Sequence, residues 1–294
     1  MIKTLKSFFK MSIVVFVVIS AIAGYGVGFQ IEDTFSFLNF FSMILGTFLI
    51  SSGSLSLNQV QESHRDAKMP RTEQRPIPSG KLSKKVALSI SLFNITTGSL
   101  ILFFLVSELS CYIGLIIIVL YNVFYTMHWK QKWKFAAVPG AIPGALPCTL
   151  GYAAVNPNIY SSESIYLFLV MFLWQMPHFW TLAIRYKDDY AAADFPILPV
   201  VVGNDRTIFH ISFYVWAYAF LAIMSPFFVD FYYAYFIIVI PFAMLVVWLF
   251  FKYVKNEKTN DKAWLPFFLA TNFSMLAFLF APLIDKWTPI IIHT

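Results

Sequence analysis

Charge is what this 294-residue sequence has least of: 12% of its residues are Asp, Glu, Lys or Arg, about half the share of an ordinary soluble domain. With 59% hydrophobic residues and a mean hydropathy of +0.70, that shortage excludes a soluble globule and leaves an all-α polytopic membrane protein. Cysteine is scarce too. Cys111 and Cys148 fall in or beside apolar runs, without the CxxC or Cys/His spacing of a metal site, and read as structural thiols. There is no low-complexity tract and no polar stretch long enough for a second domain, so one membrane domain over 1–294 is expected. The formal net charge of +6 belongs to membrane topology rather than to a nucleic-acid face, and no nucleic-acid partner is expected.

A span needs roughly 20 mostly apolar residues, and that rule predicts about nine: 11–30, 34–57, 86–107, 111–128, 135–155, 164–184, 208–228, 232–253 and 263–283. Nine crossings put the termini on opposite sides. The basic residues then alternate: Lys3, Lys6 and Lys10, the loop after span two, Lys130 to Lys134, Arg185 to Arg206 and Lys252 to Lys262 all share one side, leaving Lys286 alone opposite. Positive-inside bias makes the crowded side the cytoplasm, so the N-terminus and the polar loops are expected there. The N-terminal MIKTLKSFFK before an apolar run imitates a secretory signal, but a retained first span fits the charge parity. The same segment has no Arg-rich transit character, which favours a bacterial inner membrane.

Asn58 to Lys85 is the polar interruption where chemistry is expected. It holds seven basic residues (Arg65, Lys68, Arg71, Arg75, Lys81, Lys84, Lys85) and three acids (Glu62, Asp66, Glu73). Asn58, Glu62 and Asp66 recur at i, i+4 and i+8, so a helix continuing out of span two stacks them on one face. Mg²⁺ takes one or two carboxylates with phosphate oxygens and waters, and Arg clamps phosphate through paired hydrogen bonds. Together they describe a metal–diphosphate site; an ordinary basic loop explains the lysines but not the Asn/Glu/Asp spacing.

Span five, AAVPGAIPGALPCTLGY, carries Pro and Gly at one-turn intervals, which predicts close helix packing around a cavity. In span six Gln175 and His178 lie at bilayer depth, where polar groups are functional candidates by default. Beyond it, Arg185, Lys187, Asp188, Asp189 and Asp194 form a second cluster on the same side as the first. Tyr186 and Tyr190 either face a developing cation or belong to an interfacial aromatic belt. Two acid-plus-base clusters at the mouth of an apolar cavity suit a substrate with a diphosphate head and a polyprenyl tail.

Asn58-x-x-x-Glu62-x-x-x-Asp66 followed by Arg75-Pro-Ile-Pro-Ser-Gly80 resembles the first signature of the UbiA superfamily of intramembrane prenyltransferases. Met69-x-Arg71-Thr72-x-x-Arg75-Pro76, Pro177-His178-Phe179, and Asp189-Tyr190-x-x-Ala193 leading to Pro196-Ile-Leu-Pro199-Val are similar to the branch of that superfamily that farnesylates heme. The resemblance implies a UbiA-type bundle, farnesyl diphosphate as donor, heme B as acceptor and Mg²⁺ as cofactor. It also implies the lipid bilayer as surroundings and hand-over to a downstream heme-modifying enzyme or terminal oxidase. Carried over by position, Asn58, Glu62 and Asp66 hold Mg²⁺ and the diphosphate, Asp189 (with Asp188 less certain) the second metal, and Arg71 and Arg75 the phosphates or a heme propionate. Lys81, Arg185, Lys187, Tyr186 and Tyr190 complete the substrate contacts, and His178 stands on the acceptor side. Two departures stand out: Glu62 occupies a position usually held by Asp, and Asp189 and Asp194 are five residues apart rather than four. The alternatives are a prenyltransferase of the same fold acting on a quinone precursor, and a secondary transporter; the latter is disfavoured because the acids gather at one surface instead of the midplane.

Overall fold

The computed structural model describes residues 2–30, 32–230, 233–256 and 263–293. Lys258 and Lys262 of the last basic loop lie outside them. A short helix α1 (Ile2–Phe8) precedes α2 (Met11–Gly28), α3 (Phe37–Asp66), α4 (Lys84–Leu105) and α5 (Glu108–Ile118). The last runs on through a π-helical stretch, Val119–Trp129, into α6 (Lys130–Lys132). Then come α7 (Ala137–Ala153), α8 (Ser162–Arg185), the short α9 (Lys187–Ala192) and α10 (Leu198–Val202), α11 (Asn204–Ile223), α12 (Ile240–Asn256) with π-helical turns before it, and α13 (Trp264–His293).

Eight of these segments are long and apolar enough to cross a membrane. The ninth expected span is present as α7, a helix of 17 residues. The helix of span two continues past 57 to Asp66, as the Asn/Glu/Asp spacing implies, and there it exchanges lipid for polar neighbours on the π-helical stretch. Ser54 and Asn122 trade hydrogen bonds of 2.6 and 2.9 Å, and Asn122 also donates to Gln61 at 3.2 Å. In a membrane, such interhelical bonds satisfy groups that lipid cannot.

Pro143 and Pro147 lie inside a helix that remains continuous, and its small residues serve backbone contact. A Cβ on Gly151 would be driven into the Ala21 carbonyl, and one on Gly24 into the Cys148 carbonyl. α2 and α7 therefore cross at backbone distance. Gly151→Val is expected to lower the melting temperature of the detergent-solubilised protein, with an overpacking cost of about 3 kcal/mol; a melting curve like the parent's would mean that the crossing can give way.

At the end of the bundle away from the basic loops, Lys286 donates to the Val27 and Phe29 carbonyls at 2.7 and 2.5 Å. It thereby caps the C-terminus of α2, where the helix dipole favours a cation.

Candidate active site

α3 delivers Asn58, Glu62 and Asp66 to one face, as an i, i+4, i+8 pattern must, and all three border a single cavity of about 530 Å³. They are 1%, 4% and 1% exposed. Burying such groups demands partners, and each has one. Asn58 Oδ1 accepts from Lys10 Nζ at 2.6 Å, while its Nδ2 donates to Thr126 Oγ1 at 3.0 Å. Glu62 receives Lys130 Nζ on both oxygens at 2.7 and 2.8 Å. Asp66, at the C-terminal end of α3 where the dipole disfavours an acid, receives Arg75 Nη1 on both oxygens at 2.8 and 2.7 Å.

The loop after α3 folds back to bring Arg75 there. Thr72 Oγ1 donates to the Asp66 carbonyl at 2.8 Å, and turns through Met69, Thr72 and Arg75 close by backbone hydrogen bonds. Ile77 then buries against Phe8 of α1 and Ala87 of α4. α1 is itself pinned by Gln59 Nε2, which donates to the Ser7 and Phe8 carbonyls, both at 2.8 Å. Lys10, in the left-handed conformation at φ 49°, turns the chain from α1 into α2 and aims its side chain at Asn58. Burial, reinforced by the Arg75 cation, pulls the Lys10 ammonium down to about 7, against the opposing pull of Glu62.

The second cluster meets the first through Arg71, whose Nε stands 3.6 Å from Asp189 and whose guanidinium lies over the rings of Tyr186 (4.7 Å) and Tyr190 (5.7 Å). Lys68 pairs with Asp194 at 2.8 Å, an exposed contact whose hydrogen bond holds the Asp194 carboxyl below its usual range. Met69, Tyr190, Ala193, Phe195 and Ile197 pack into a small apolar cap over this end, and Lys130 and Arg65 rest 4.5 and 4.6 Å from the Phe195 ring.

The remaining sequence candidates divide. Arg71, Arg75, Tyr190 and His178 border the cavity, whereas Lys81, Arg185, Tyr186, Lys187, Asp188 and Asp189 do not; Tyr186 and Asp189 reach it only through Arg71. Arg185 instead lies 5.3 Å from the Trp264 ring, and Asp188 is exposed: on a six-residue helix, adjacent acids point to different sides, and Asp189 is the one turned to Arg71. Gln175 borders the cavity but is tied down, donating to the Ala141 and Met171 carbonyls at 3.0 Å each across the gap left by Gly144.

Sequence reasoning missed Lys10, Lys130 and the stacked Tyr121–Tyr125 pair on the cavity wall (5.7 Å between rings). In the sequence the lysines read only as topology charges, and no local pattern marks a partner 48 or 68 residues away.

Deeper along the wall, His178 stacks between Trp174 (4.7 Å) and Phe268 (4.9 Å). Its Nδ1 and the Trp174 Nε1 are buried without a hydrogen-bond partner.

Among the described residues, no three His, Cys, Asp or Glu side chains converge as ligands on one point. The donors are an amide and separated carboxylates along a helix face, each already matched with a cation. Such a set suits Mg²⁺ arriving with phosphate oxygens rather than a protein-only cage.

Residues 17–272 match the model of the UbiA prenyltransferase family. The chain belongs to that family. Among its UbiA relatives, the protoheme IX farnesyltransferase of Bdellovibrio bacteriovorus is 48% identical over 284 residues, 97% of this chain and 96% of the relative. That of Listeria welshimeri is 35% identical over 200 residues, 67% of this chain and 66% of the relative. The fold is shared with a UbiA homolog from Archaeoglobus fulgidus solved with DMAPP and Mg²⁺, at a TM-score of 0.68 and 14% identity, covering 95% of this chain and 99% of that one. A digeranylgeranylglyceryl phosphate synthase structure is similar at a TM-score of 0.76 and 17% identity, covering 96% and 98%.

Proposed function

We infer that this chain transfers the farnesyl group of farnesyl diphosphate to a vinyl group of heme B, making heme O. The observation that carries the reading is the polar mouth itself: three groups of one helix, each held by its own cation, above an apolar cavity. A protoheme IX farnesyltransferase relative that matches nearly the whole chain supplies the acceptor.

Asn58, Glu62 and Asp66, with Asp189 across the mouth, would hold Mg²⁺ together with the diphosphate. Bound there, the metal offsets the charge that builds on the departing diphosphate. The chain's own cations do the rest. Lys10, Lys130, Arg71 and Arg75, held here by Asn58, Glu62, Asp189 and Asp66, would be the groups that meet the diphosphate oxygens, each exchanging one polar contact for another. Breakage of the farnesyl C1–O bond leaves an allylic cation beside Tyr121, Tyr125 and Tyr190, whose π faces stabilise it, in a wall apolar enough to exclude water. The vinyl π electrons form the new bond to C1. The cation left next to the porphyrin takes up water and loses a proton, giving a hydroxyethylfarnesyl side chain. His178, with its free Nδ1, stands on the acceptor side, suited to a heme iron. The basic end of the bundle is placed in the cytoplasm, and the membrane is a bacterial inner membrane.

The test is purified protein with heme B, farnesyl diphosphate and Mg²⁺, with and without chelator, following porphyrins by mass. A chelator-sensitive hydroxyethylfarnesyl gain is expected; transfer only to a quinone precursor would overturn the acceptor. His178→Ala is expected to change the absorption spectrum of bound heme and to cut transfer by about 10²-fold; a variant normal in both would make His178 a packing residue.

A further inference from the structure

The cavity has a defined bottom. Its wall descends α3 from Glu62 and Asn58 through Ser54 to Ile50 and Thr47, and on the facing helix it reaches Leu150. Ile50 and Leu150 are 3% and 1% exposed, and they meet behind the cavity over Gly114 of α5. A Cβ placed on Gly114 would sit 2.9 Å from Ile50 Cδ1 and 3.5 Å from Leu150 Cδ1. The missing methyl is thus the space into which both side chains retreat. Leu102 of α4 lies 3.5 Å from the same point, so the floor is backed by packed side chains rather than by lipid.

The depth is set by the helix. Side chains of a helix lean toward its N-terminus, so Ile50 covers the turn between Thr47 and Ile50. That turn lies eight to eleven residues from Asn58 on one helix, or about 12–17 Å at about 1.5 Å per residue. A farnesyl chain has twelve carbons along its backbone, about 14 Å when extended, since each bond of about 1.5 Å advances a zigzag chain by about 1.25 Å. A geranyl chain falls short of the floor by about a third, and a geranylgeranyl chain overruns it by about a third, on the same bond length.

We propose that Ile50 and Leu150, seated over Gly114, are the ruler that limits the donor to three isoprene units. The proposal rests on the prenyl-diphosphate reading of the cavity and says nothing of the acceptor. It makes two predictions of opposite sign. Ile50→Ala or Leu150→Ala deepens the floor, and preference should move from farnesyl toward geranylgeranyl diphosphate by about tenfold or more, the scale of discrimination for one small apolar group. Gly114→Ala pushes both side chains up into the cavity without itself reaching the substrate, and preference should move toward geranyl diphosphate by a similar factor.

The experiment measures binding of the three diphosphates with Mg²⁺ to the full-length protein in detergent, without acceptor, and then kcat/KM for each with heme B. Ile50→Val and Leu150→Val accompany the alanine variants, so that a poorly folded alanine variant still leaves a smaller shift of the same sign to read. Unchanged ranking in folded variants, or Gly114→Ala shifting preference the same way as Ile50→Ala, would overturn the ruler. A protein that ranks donors as proposed but never modifies heme keeps the ruler and loses the acceptor; heme transfer with an unmoved ranking does the reverse.

Discussion

Asp66→Asn is expected to lower turnover by about 10²- to 10³-fold, the scale seen when one charge-stabilising group is taken from a reacting centre. The substitution preserves shape and leaves the amide oxygen facing Arg75, but it removes the charge that the guanidinium pairs with and that the proposed metal would need. Asp66 is 1% exposed and accepts two hydrogen bonds from one Arg75 nitrogen. Arg75 and Asp66 are both largely buried, their side chains being 22% and 1% exposed, so taking the charge from the pair should cost the folded state about 2–3 kcal/mol. The defect should therefore appear as lost activation by Mg²⁺ together with a modest fall in melting temperature. Turnover within a few-fold of the parent, with unchanged Mg²⁺ dependence, would remove Asp66 from the metal site.

Lys130→Met should be nearly as damaging. The ammonium is the charge nearest to Glu62, at 2.7 and 2.8 Å, and its removal strands a carboxylate that is 4% exposed. Leaving one member of a buried charge pair costs about 2–5 kcal/mol, and the loss of the proposed diphosphate contact adds to it, so kcat/KM for the donor should fall by about 10²-fold or more. Lys130→Arg restores the charge in a bulkier, planar form above the Phe195 ring and should recover most of the loss in donor binding. No recovery with arginine, or a methionine variant as active as the parent, would mean that Lys130 only balances Glu62.

The two substitutions separate the halves of the mouth. Asp66 pairs within nine residues of chain, through a loop whose turns bring Arg75 back on it. Lys130 reaches Glu62 across 68 residues, from the far end of the π-helical stretch. π-helical turns are rare and gather at functional sites. Here the stretch sets Tyr121 and Tyr125 on the cavity wall while Asn122 and Thr126 hold α3.

By itself the sequence determined the membrane class, the positions of the long helices and the stacking of Asn58, Glu62 and Asp66, because apolar run length and a 3.6-residue period are local properties. It also determined, through motif likeness, the family to which the chain belongs. The tertiary structure alone decided which cations serve which acids. Lys10 and Lys130 had been indistinguishable from the other basic residues that set topology, since a charge bears no mark of a partner brought to it by folding. Likewise only packing chose Asp189 over Asp188, bound Gln175 to backbone carbonyls, and ended the cavity where Ile50 and Leu150 meet over Gly114. Each of those outcomes depends on which face of one helix meets another, and that is a property of the assembled bundle rather than of any stretch within it.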